Sequence, residues 1–296
     1  MIKREIQNSI LADFKRKKVI VLLGARQVGK TTLLLSLQSD KERVLSLNCD
    51  NIDDRLLLEA RTSTELKYLL SSYDMAFIDE AQRVRNIGLT LKMIGDLKLD
   101  TQIVVTGSSS FDMANEINEP ATGRLIEYNL YPFSLAELAA DTSEREEKRL
   151  LENRLIYGLY PEVVTEPADA KRTLMSLTNN YLYKDLFSYK GLKKPDVIQK
   201  LVRALALQLG SEVSYNELSN LLGIDKETVE NYICLLEKCF VVFRLDSFSR
   251  NLRNEIKKGK KIYFYDNGIR NAVISNFAPL ELRTDVGALW ENLMVS

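Results

Sequence analysis

The segment from Gly24 to Thr31 has the residue types that a polyphosphate site needs. Two glycines precede a lysine and a hydroxyl residue, in the order Gly24-Ala-Arg-Gln-Val-Gly29-Lys30-Thr31. Glycine lets the backbone curl so that successive N–H groups point at one anion, and a following helix adds the positive end of its dipole. Lys30 is then expected to reach the β- and γ-phosphates of ATP, and the Thr31 hydroxyl to ligate Mg²⁺.

A chance match is the alternative, and the neighbouring residues argue against it. The apolar run Val19–Leu23 is typical of a buried strand, and the pattern from Thr31 to Gln38 is typical of a helix. A strand before the loop and a helix after it are the context that this motif requires. The predicted nucleotide-binding residues are Gly24, Ala25, Arg26, Gln27, Val28, Gly29, Lys30, Thr31 and Thr32.

A second group of polar residues follows the apolar run Met75–Ile78. Asp79 and Glu80 come directly after it, where a parallel strand would end at the ligand-binding edge of a sheet. Asp79 is expected to hold Mg²⁺, and Glu80 to orient or deprotonate an attacking water. Two solvated acids at a strand end are the alternative. The chain has no histidine, so a general base must be a carboxylate.

The alternation of strands and helices over about the first 130 residues predicts a parallel sheet with crossover helices. With the motif from Gly24 to Thr31, we therefore expect an α/β fold of the P-loop NTPase type, with helices on both faces of the sheet, followed by a helical region and a winged-helix domain. The predicted strands are Val19–Leu23, Val44–Leu47, Met75–Ile78, Ile103–Val105 and Leu125–Leu130. The helices expected between them are Thr31–Gln38, Thr64–Leu70 and Gly88–Leu97.

The predicted domains are a nucleotide-binding core (residues 1–131), a helical lid or linker (132–192), a winged helix (195–275) and the start of a C-terminal segment (276–296). In the winged helix, Gly223 would form the turn between two helices. The expected apolar contacts there are Leu218, Leu221, Leu222, Val229, Ile233 and Leu236. The last residues, "DVGALWENLMVS", have the pattern of an amphipathic helix that stops at Ser296. Such a pattern is expected where the sequence given is truncated or is part of a longer one.

Double-stranded DNA is a candidate partner of this region. The second helix begins with Asp225, Glu227 and Glu230, which would repel phosphates, but residues 238–261 hold eight Lys or Arg against two acids. DNA contact is therefore expected through the wing. The expected residues are Arg244, Arg250, Arg253, Lys257, Lys258, Lys260 and Lys261. A packing or oligomerisation module with a solvated basic strip is the alternative.

Composition excludes several classes of protein. Lys plus Arg equals Asp plus Glu at 41 each, which argues against a nucleic-acid binder that uses its whole surface. No apolar run approaches a transmembrane length, and the charged N-terminus lacks the core of a signal peptide. The three cysteines have no metal-like spacing. We expect reduced thiols and a cytoplasmic protein without a membrane contact.

The combined motifs resemble the AAA+ superfamily, and within it the prokaryotic predicted ATPases whose AAA+ core precedes a C-terminal domain of unknown function. The segments that carry the resemblance are "LLGARQVGKTTLL", "FIDEAQ", "VVTGSSS", "TGRLIEYNLYPFSLAEL", "YGLYPEVV", "NNYLYKDLF" and "KKIYFYDNGIRNAV". The family region beyond these segments looks nuclease-like, and the residues present here do not support a nuclease function.

The resemblance implies Walker A residues at Lys30 and Thr31 and a Walker B pair at Asp79 and Glu80. It also implies a sensor 1 residue at Ser108, although a polar turn is the alternative for each serine of that run. Arg124 is the candidate arginine finger, acting on the γ-phosphate of a neighbouring subunit in a homo-oligomer. Its segment reads "PATGR" where the family often has Leu-x-Gly-Arg, and a surface arginine paired with Glu127 or another acid is the alternative.

The sequence thus predicts Mg²⁺-dependent binding and hydrolysis of ATP, coupled to a conformational change that acts on DNA. The alternative is a slowly hydrolysing nucleotide switch or scaffold that binds a protein partner. A small-molecule kinase is less favoured, because the Asp-Glu pair suits water activation.

Overall fold

A computed structural model describes residues 1–38, 43–108, 123–182, 186, 195–245 and 260–296. The chain divides into two compact units, Met1–Tyr131 and Pro132–Ser296. None of the helices in these ranges combines the length and the apolar composition that crossing a bilayer requires.

The first unit is built on a five-stranded parallel sheet with the order β2-β3-β4-β1-β5. Its strands are β1 (Val19–Leu23), β2 (Val44–Asn48), β3 (Met75–Asp79), β4 (Gln102–Gly107) and β5 (Leu125–Asn129). Every residue of β1 and β4 is buried, which explains why these segments lack the alternation of a half-exposed strand. The expected α/β fold and parallel sheet are confirmed, and the strand ends differ from the prediction by one or two residues.

Helices connect the strands of the first unit. They are α1 (Ile6–Asp13), α2 (Lys30–Leu37), α3 (Ile52–Leu56), α4 (Ser63–Leu70) and α5 (Ile87–Leu97). The Thr62 hydroxyl accepts from Glu65 N, and the Glu65 carboxylate accepts from Thr62 N, so a capping box sets the start of α4. Leu33, Leu34 and Leu37 of α2 join the core below β1. The leucine-rich run after Thr32 therefore fixes the helix that follows the glycine loop.

The second unit is mostly helical. Its helices are α6 (Leu135–Asp141), α7 (Glu144–Arg149), α8 (Leu151–Tyr157), α9 (Pro161–Thr165), α10 (Ala170–Ser176), α11 (Pro195–Leu207), α12 (Tyr215–Leu222), α13 (Lys226–Lys238), α14 (Asn267–Val273) and α15 (Val286–Val295). A three-stranded antiparallel sheet has the order β6-β8-β7. Its strands are β6 (Glu212–Val213), β7 (Val242–Leu245) and β8 (Lys260–Phe264).

The helix pair α12–α13 lies where the sequence predicted a helix-turn-helix. Gly223 ends α12 in the left-handed region with φ +64°, and Leu218 and Ile233 are fully buried. The prediction that Leu221 contributes an apolar contact is wrong, since its side chain is 66% exposed. The eight-residue α12 buries Leu218 instead, which leaves Leu221 in solvent.

A buried carboxylate connects two segments of the second unit. Asp266 caps α14 by accepting from Ile269 N, and it also accepts from Leu159 N, which follows α8. A Cβ atom on Gly158 would lie 2.2 Å from the Asp266 carboxylate, so this close approach requires glycine. Burial raises the pKa of Asp266 to about 6, although the backbone N–H donors lower it.

This raised pKa predicts a pH-dependent stability. The folded chain keeps a proton on Asp266 that the unfolded chain releases between about pH 4 and pH 6. The contribution of Asp266 to the free energy of unfolding is therefore greatest below pH 4, falls by up to about 3 kcal/mol as the pH rises to 6, and is constant above. Urea unfolding of the wild type and of Asp266→Asn, from pH 4 to pH 7, measures the contribution of Asp266 ionisation to the free energy of unfolding. Asn is the suitable replacement because it can cap α14 without titrating. A stability difference that is independent of pH would contradict the prediction.

Candidate functional site

The glycine loop follows β1 and leads directly into α2. Gly29 has φ +96° and Gln27 has φ +59°, so the loop uses two left-handed residues to turn the backbone back on itself. Helix α2 begins at Lys30, which places the helix N-terminus and the positive end of its dipole at the loop. The loop therefore has the backbone form that a phosphate group needs.

Gly24 is required by the close approach of another segment. A Cβ atom at this position would lie 2.4 Å from the carbonyl oxygen of Leu130, just beyond β5. Gly24 N also donates to Gly107 O at the end of β4, at 3.3 Å. The first glycine of the motif thus lets the loop start between the ends of β4 and β5, the two strands that flank β1.

Arg4 supports the loop from the N-terminal segment, a role that the sequence did not predict. Its guanidinium is buried and donates to Val28 O at 3.2 Å and to Tyr131 O. These bonds tie a carbonyl of the loop to the segment after β5. In the sequence, Arg4 stands among charged residues near the N-terminus. Nothing in that pattern distinguishes a buried arginine from a solvent-exposed one.

The Lys30 side chain lies inside the loop. It is 5% exposed, and its Nζ donates to Gly24 O at 2.8 Å and to Ala25 O at 2.9 Å. The ammonium group is therefore at the centre of the curled backbone, where it adds a full positive charge to the loop N–H groups. Arg26 and Thr32 belong to the same loop and to the first turn of α2.

Asp79 links the loop to the sheet. Thr31 Oγ1 donates to Asp79 Oδ2 at 2.8 Å, across 48 residues of sequence. On the other side, Asp79 Oδ1 accepts from Thr106 Oγ1 and, at 3.2 Å, from Glu80 N. The structure thus brings Thr31 and Asp79 together, as the sequence predicted. Thr106 is a further member of the site that the sequence did not single out.

Glu80 lies next to this group in a constrained backbone. Its φ is +53°, a left-handed value that is uncommon for a residue with a side chain, and Glu80 N also donates to Thr106 Oγ1 at 3.1 Å. Its carboxylate accepts from Gln82 Nε2 at 2.5 Å, and the same nitrogen donates to Ser108 Oγ at 3.0 Å. Gln82 therefore connects Ser108 to Glu80 through two hydrogen bonds, a role that the sequence did not predict for it.

Arg124 is far from these residues within the chain. It precedes Leu125, the first residue of β5, which pairs with Val19 at the start of β1. The glycine loop follows the other end of β1, so Arg124 lies near the N-terminal ends of the parallel strands and Lys30 near their C-terminal ends. Arg124 forms an ion pair with Asp96 on α5, which agrees with the alternative of a surface arginine paired with Glu127 or another acid.

Part of the predicted DNA-binding wing is described, and two of its basic side chains have acidic partners. Arg244 forms an ion pair with Glu237 at 2.5 Å, and Lys261 with Glu291 at 2.8 Å. Hydrogen bonding to Glu237 raises the pKa of Arg244 further above its already high value. Lys260 begins β8. Outside the described residues lie Arg250, Arg253, Lys257 and Lys258.

The oxygens of the site suit Mg²⁺, which prefers hydroxyl, carboxylate and phosphate ligands. Thr31 Oγ1 and Asp79 Oδ2 are adjacent, whereas no cluster of three or more metal-binding side chains occurs in the described ranges. A metal ion here would therefore complete its coordination with water or with oxygens of a bound nucleotide. Cys49 directly follows β2, and its N–H donates to Asp79 O at 2.9 Å. Burial raises the pKa of the Cys49 thiol to about 12.

Thr106→Val should destabilise the first unit by about 1–3 kcal/mol, because Asp79 loses a buried donor and Glu80 N loses an acceptor. Thr106→Ser keeps the hydroxyl and serves as the matched control, with a much smaller expected effect. Chemical denaturation followed by circular dichroism measures both. Equal stability of the Val variant and the wild type would show that these hydrogen bonds contribute nothing to folding.

Comparison with known proteins agrees with this geometry. Residues 16–139 match the family model described as "AAA domain", and residues 148–280 match a model described as "Domain of unknown function (DUF8612)". An uncharacterized protein of Haemophilus influenzae is 27% identical over 93% of this chain and 74% of its own length. An uncharacterized protein of Methanocaldococcus jannaschii is 26% identical over 92% of this chain, which spans 65% of that relative.

A solved structure has the same fold. The Walker-type ATPase PABY2304 of Pyrococcus abyssi superimposes with a TM-score of 0.60, covering 93% of this chain and 96% of the other, at 17% sequence identity. At this identity the similarity concerns the fold alone. The parallel sheet, the match of residues 16–139 to the AAA domain model and this neighbour agree on one conclusion: the first unit has the P-loop NTPase fold.

Proposed function

We propose that this chain is an ATPase that binds and hydrolyses Mg-ATP at the Gly24–Thr32 loop. The main support for this proposal is the hydrogen bond between Thr31 and Asp79. The Thr31 hydroxyl at the start of α2 and the Asp79 carboxylate at the end of β3 are 2.8 Å apart. A hydroxyl and a carboxylate beside a phosphate-binding loop are the parts that a Mg-nucleotide site needs.

In this proposal the loop N–H groups and Lys30 bind the phosphates. The backbone from Arg26 to Thr32 curls around the Lys30 ammonium, which is close enough to Gly24 O and Ala25 O to be centred in the loop. A nucleotide would replace these carbonyl contacts with stronger, charge-assisted bonds to the β- and γ-phosphates. The N-terminus of α2 adds to the attraction for negative charge.

Thr31 and Asp79 would hold Mg²⁺ together with phosphate oxygens. When bound, the ion would neutralise charge that develops on the β- and γ-phosphates during hydrolysis. Glu80 is the proposed general base, which takes a proton from the attacking water. Ser108 is proposed to hydrogen-bond the γ-phosphate, a role supported by its link to Glu80 through Gln82.

Arg124 is proposed to act only between subunits. Its position at the opposite edge of the sheet from Lys30 excludes contact with a nucleotide in the same chain. Its side chain is one-third exposed, and the ion pair with Asp96 is in contact with solvent. Homo-oligomerisation is therefore part of this proposal, and a strictly monomeric mass in light scattering with Mg-ATP would exclude it.

We further propose that residues 195–275 are a winged-helix domain that contacts duplex DNA, and that residues 132–192 are a helical lid or linker. Helices α11, α12 and α13 and a small antiparallel sheet support the first assignment, as does the basic composition of residues 238–261. The ion pairs of Arg244 and Lys261 reduce the charge that these two residues can offer to phosphates. DNA contact would then depend on the lysines and arginines of residues 250–258.

Two substitutions separate nucleotide binding from hydrolysis. Lys30→Ala should abolish ATP binding, because it removes the charge at the centre of the loop. Glu80→Gln should retain ATP binding and lower the rate of phosphate release by at least about 100-fold, since the amide cannot take a proton. Calorimetric titration and a phosphate-release assay measure the two effects. Normal hydrolysis by the Glu80→Gln protein would show that Glu80 is not the base.

Stimulation by DNA separates a DNA-coupled ATPase from a slow switch that binds a protein partner. For the first function we expect duplex DNA to increase phosphate release, and the double substitution Lys257→Glu, Lys258→Glu to reduce this increase. A double substitution of two other lysines, Lys3→Glu and Lys67→Glu, serves as the charge-matched control. A low rate that duplex DNA leaves unchanged would favour the switch.

A further inference from the structure

Gln82 joins two residues of the proposed hydrolytic site. Its side-chain nitrogen Nε2 donates to Glu80 Oε2 at 2.5 Å and to Ser108 Oγ at 3.0 Å. Glu80 follows β3 and Ser108 follows β4, so one amide group bridges the ends of two neighbouring strands. Gln82 is not part of the phosphate loop or of the Asp-Glu pair.

The chemistry of these groups fixes the direction of each hydrogen bond. An ionised carboxylate can only accept, so the NH₂ end of the amide must face Glu80. The second N–H of this group then donates to Ser108, whose oxygen acts as the acceptor. The Ser108 hydroxyl hydrogen must therefore point towards some other acceptor, and the Glu80 carboxylate keeps its second oxygen, Oε1, for another donor.

The Gln82 amide is partly buried, and one of its polar atoms has no hydrogen-bond partner in the described part of the chain. Gln82 lies on a 3₁₀ turn, Ala81–Arg83, whose neighbours Ala81 and Val84 are buried. The carbonyl oxygen of its amide, Oε1, is buried and has no hydrogen-bond partner among the described residues. A buried acceptor without a donor is unfavourable. The orientation of the amide is thus set by Glu80 and Ser108, at the expense of its own oxygen.

We propose that Gln82 is a positioning residue for ATP hydrolysis, an inference that rests on the function proposed above. By binding Oε2 of Glu80, it directs Oε1 of the carboxylate to the attacking water. By donating to Ser108, it directs the hydroxyl hydrogen to an oxygen of the γ-phosphate. One amide therefore aligns the base with the group that contacts the phosphate being attacked.

In this proposal Gln82 assists the attack of water on the γ-phosphate of ATP. The water oxygen forms a bond to the γ-phosphorus while the bond from that phosphorus to the β,γ-bridging oxygen breaks. The electron pair of the broken bond stays on ADP, and the proton of the water passes to Glu80. Gln82 exchanges no proton, so its contribution is to orientation alone.

The substitution Gln82→Met tests this role, because Met has a similar shape and cannot donate a hydrogen bond. We expect kcat to fall about 10- to 100-fold, the value of a hydrogen bond to a charged group, while KM and the Kd for ATP change less than about twofold. Gln38→Met is the matched control, since Gln38 is exposed at the end of α2, and its kcat should equal that of the wild type.

A double substitution distinguishes positioning from a structural effect. If Gln82 acts together with Ser108, then Gln82→Met combined with Ser108→Ala should be no more than about threefold slower than the slower single variant. Losses in kcat that multiply would contradict the proposal. A fall in ATP affinity as large as the fall in kcat would also contradict it. If Gln82→Met does not fold, Gln82→Asn replaces it, because its shorter amide cannot span both partners and should also lower kcat at least tenfold.

The outcomes separate this inference from the function on which it rests. Wild-type kcat in a folded Gln82→Met protein, with Glu80→Gln inactive, would overturn the role of Gln82 and leave the proposed ATPase intact. Normal hydrolysis by Glu80→Gln would overturn the assignment of the base itself.

Discussion

The site depends on the hydrogen bonds of one carboxylate, that of Asp79. Its two oxygens accept from Thr31 on the loop side and from Thr106 on the sheet side. These bonds join three segments that are far apart in sequence: the start of α2, the end of β3 and the end of β4. Because a carboxylate with both oxygens engaged has few other orientations, the loop and the strand ends are fixed relative to one another.

The order of the strands explains why these residues can meet. β4 lies between β3 and β1, so the ends of β3 and β4 are adjacent and the loop that leaves β1 is next to them. Gly24 donates to Gly107 and lies against Leu130, which holds the loop between β4 and the segment after β5. In a parallel sheet all carboxyl ends share one edge, and Arg124, which precedes its strand, is at the other. The topology therefore separates residues that act within the chain from one that could act only on a neighbouring subunit.

The sequence was sufficient to predict the sheet and the residues closest to the loop. Unbroken apolar runs such as Val19–Leu23 predict strands buried on both faces, and the glycine spacing predicts the loop. The contribution of Thr106 depended on the register of β3 and β4. Ile78 pairs with Val105, so Asp79 lies beside Thr106, whereas the family resemblance named Ser108, two residues further along the chain. Arg4 was not predictable, because its contact with Val28 spans 24 residues of chain.

The most direct test of the account is a calorimetric titration of the wild-type chain with ATP, with and without Mg²⁺. If the loop and the pair of Thr31 and Asp79 form one Mg-nucleotide site, ATP should bind at one site per chain, and omission of Mg²⁺ should weaken the binding markedly. Absence of binding heat in both titrations, on protein whose circular dichroism shows a folded chain, would contradict the central claim. So would binding that is independent of Mg²⁺, because Thr31 and Asp79 would then have no metal to hold.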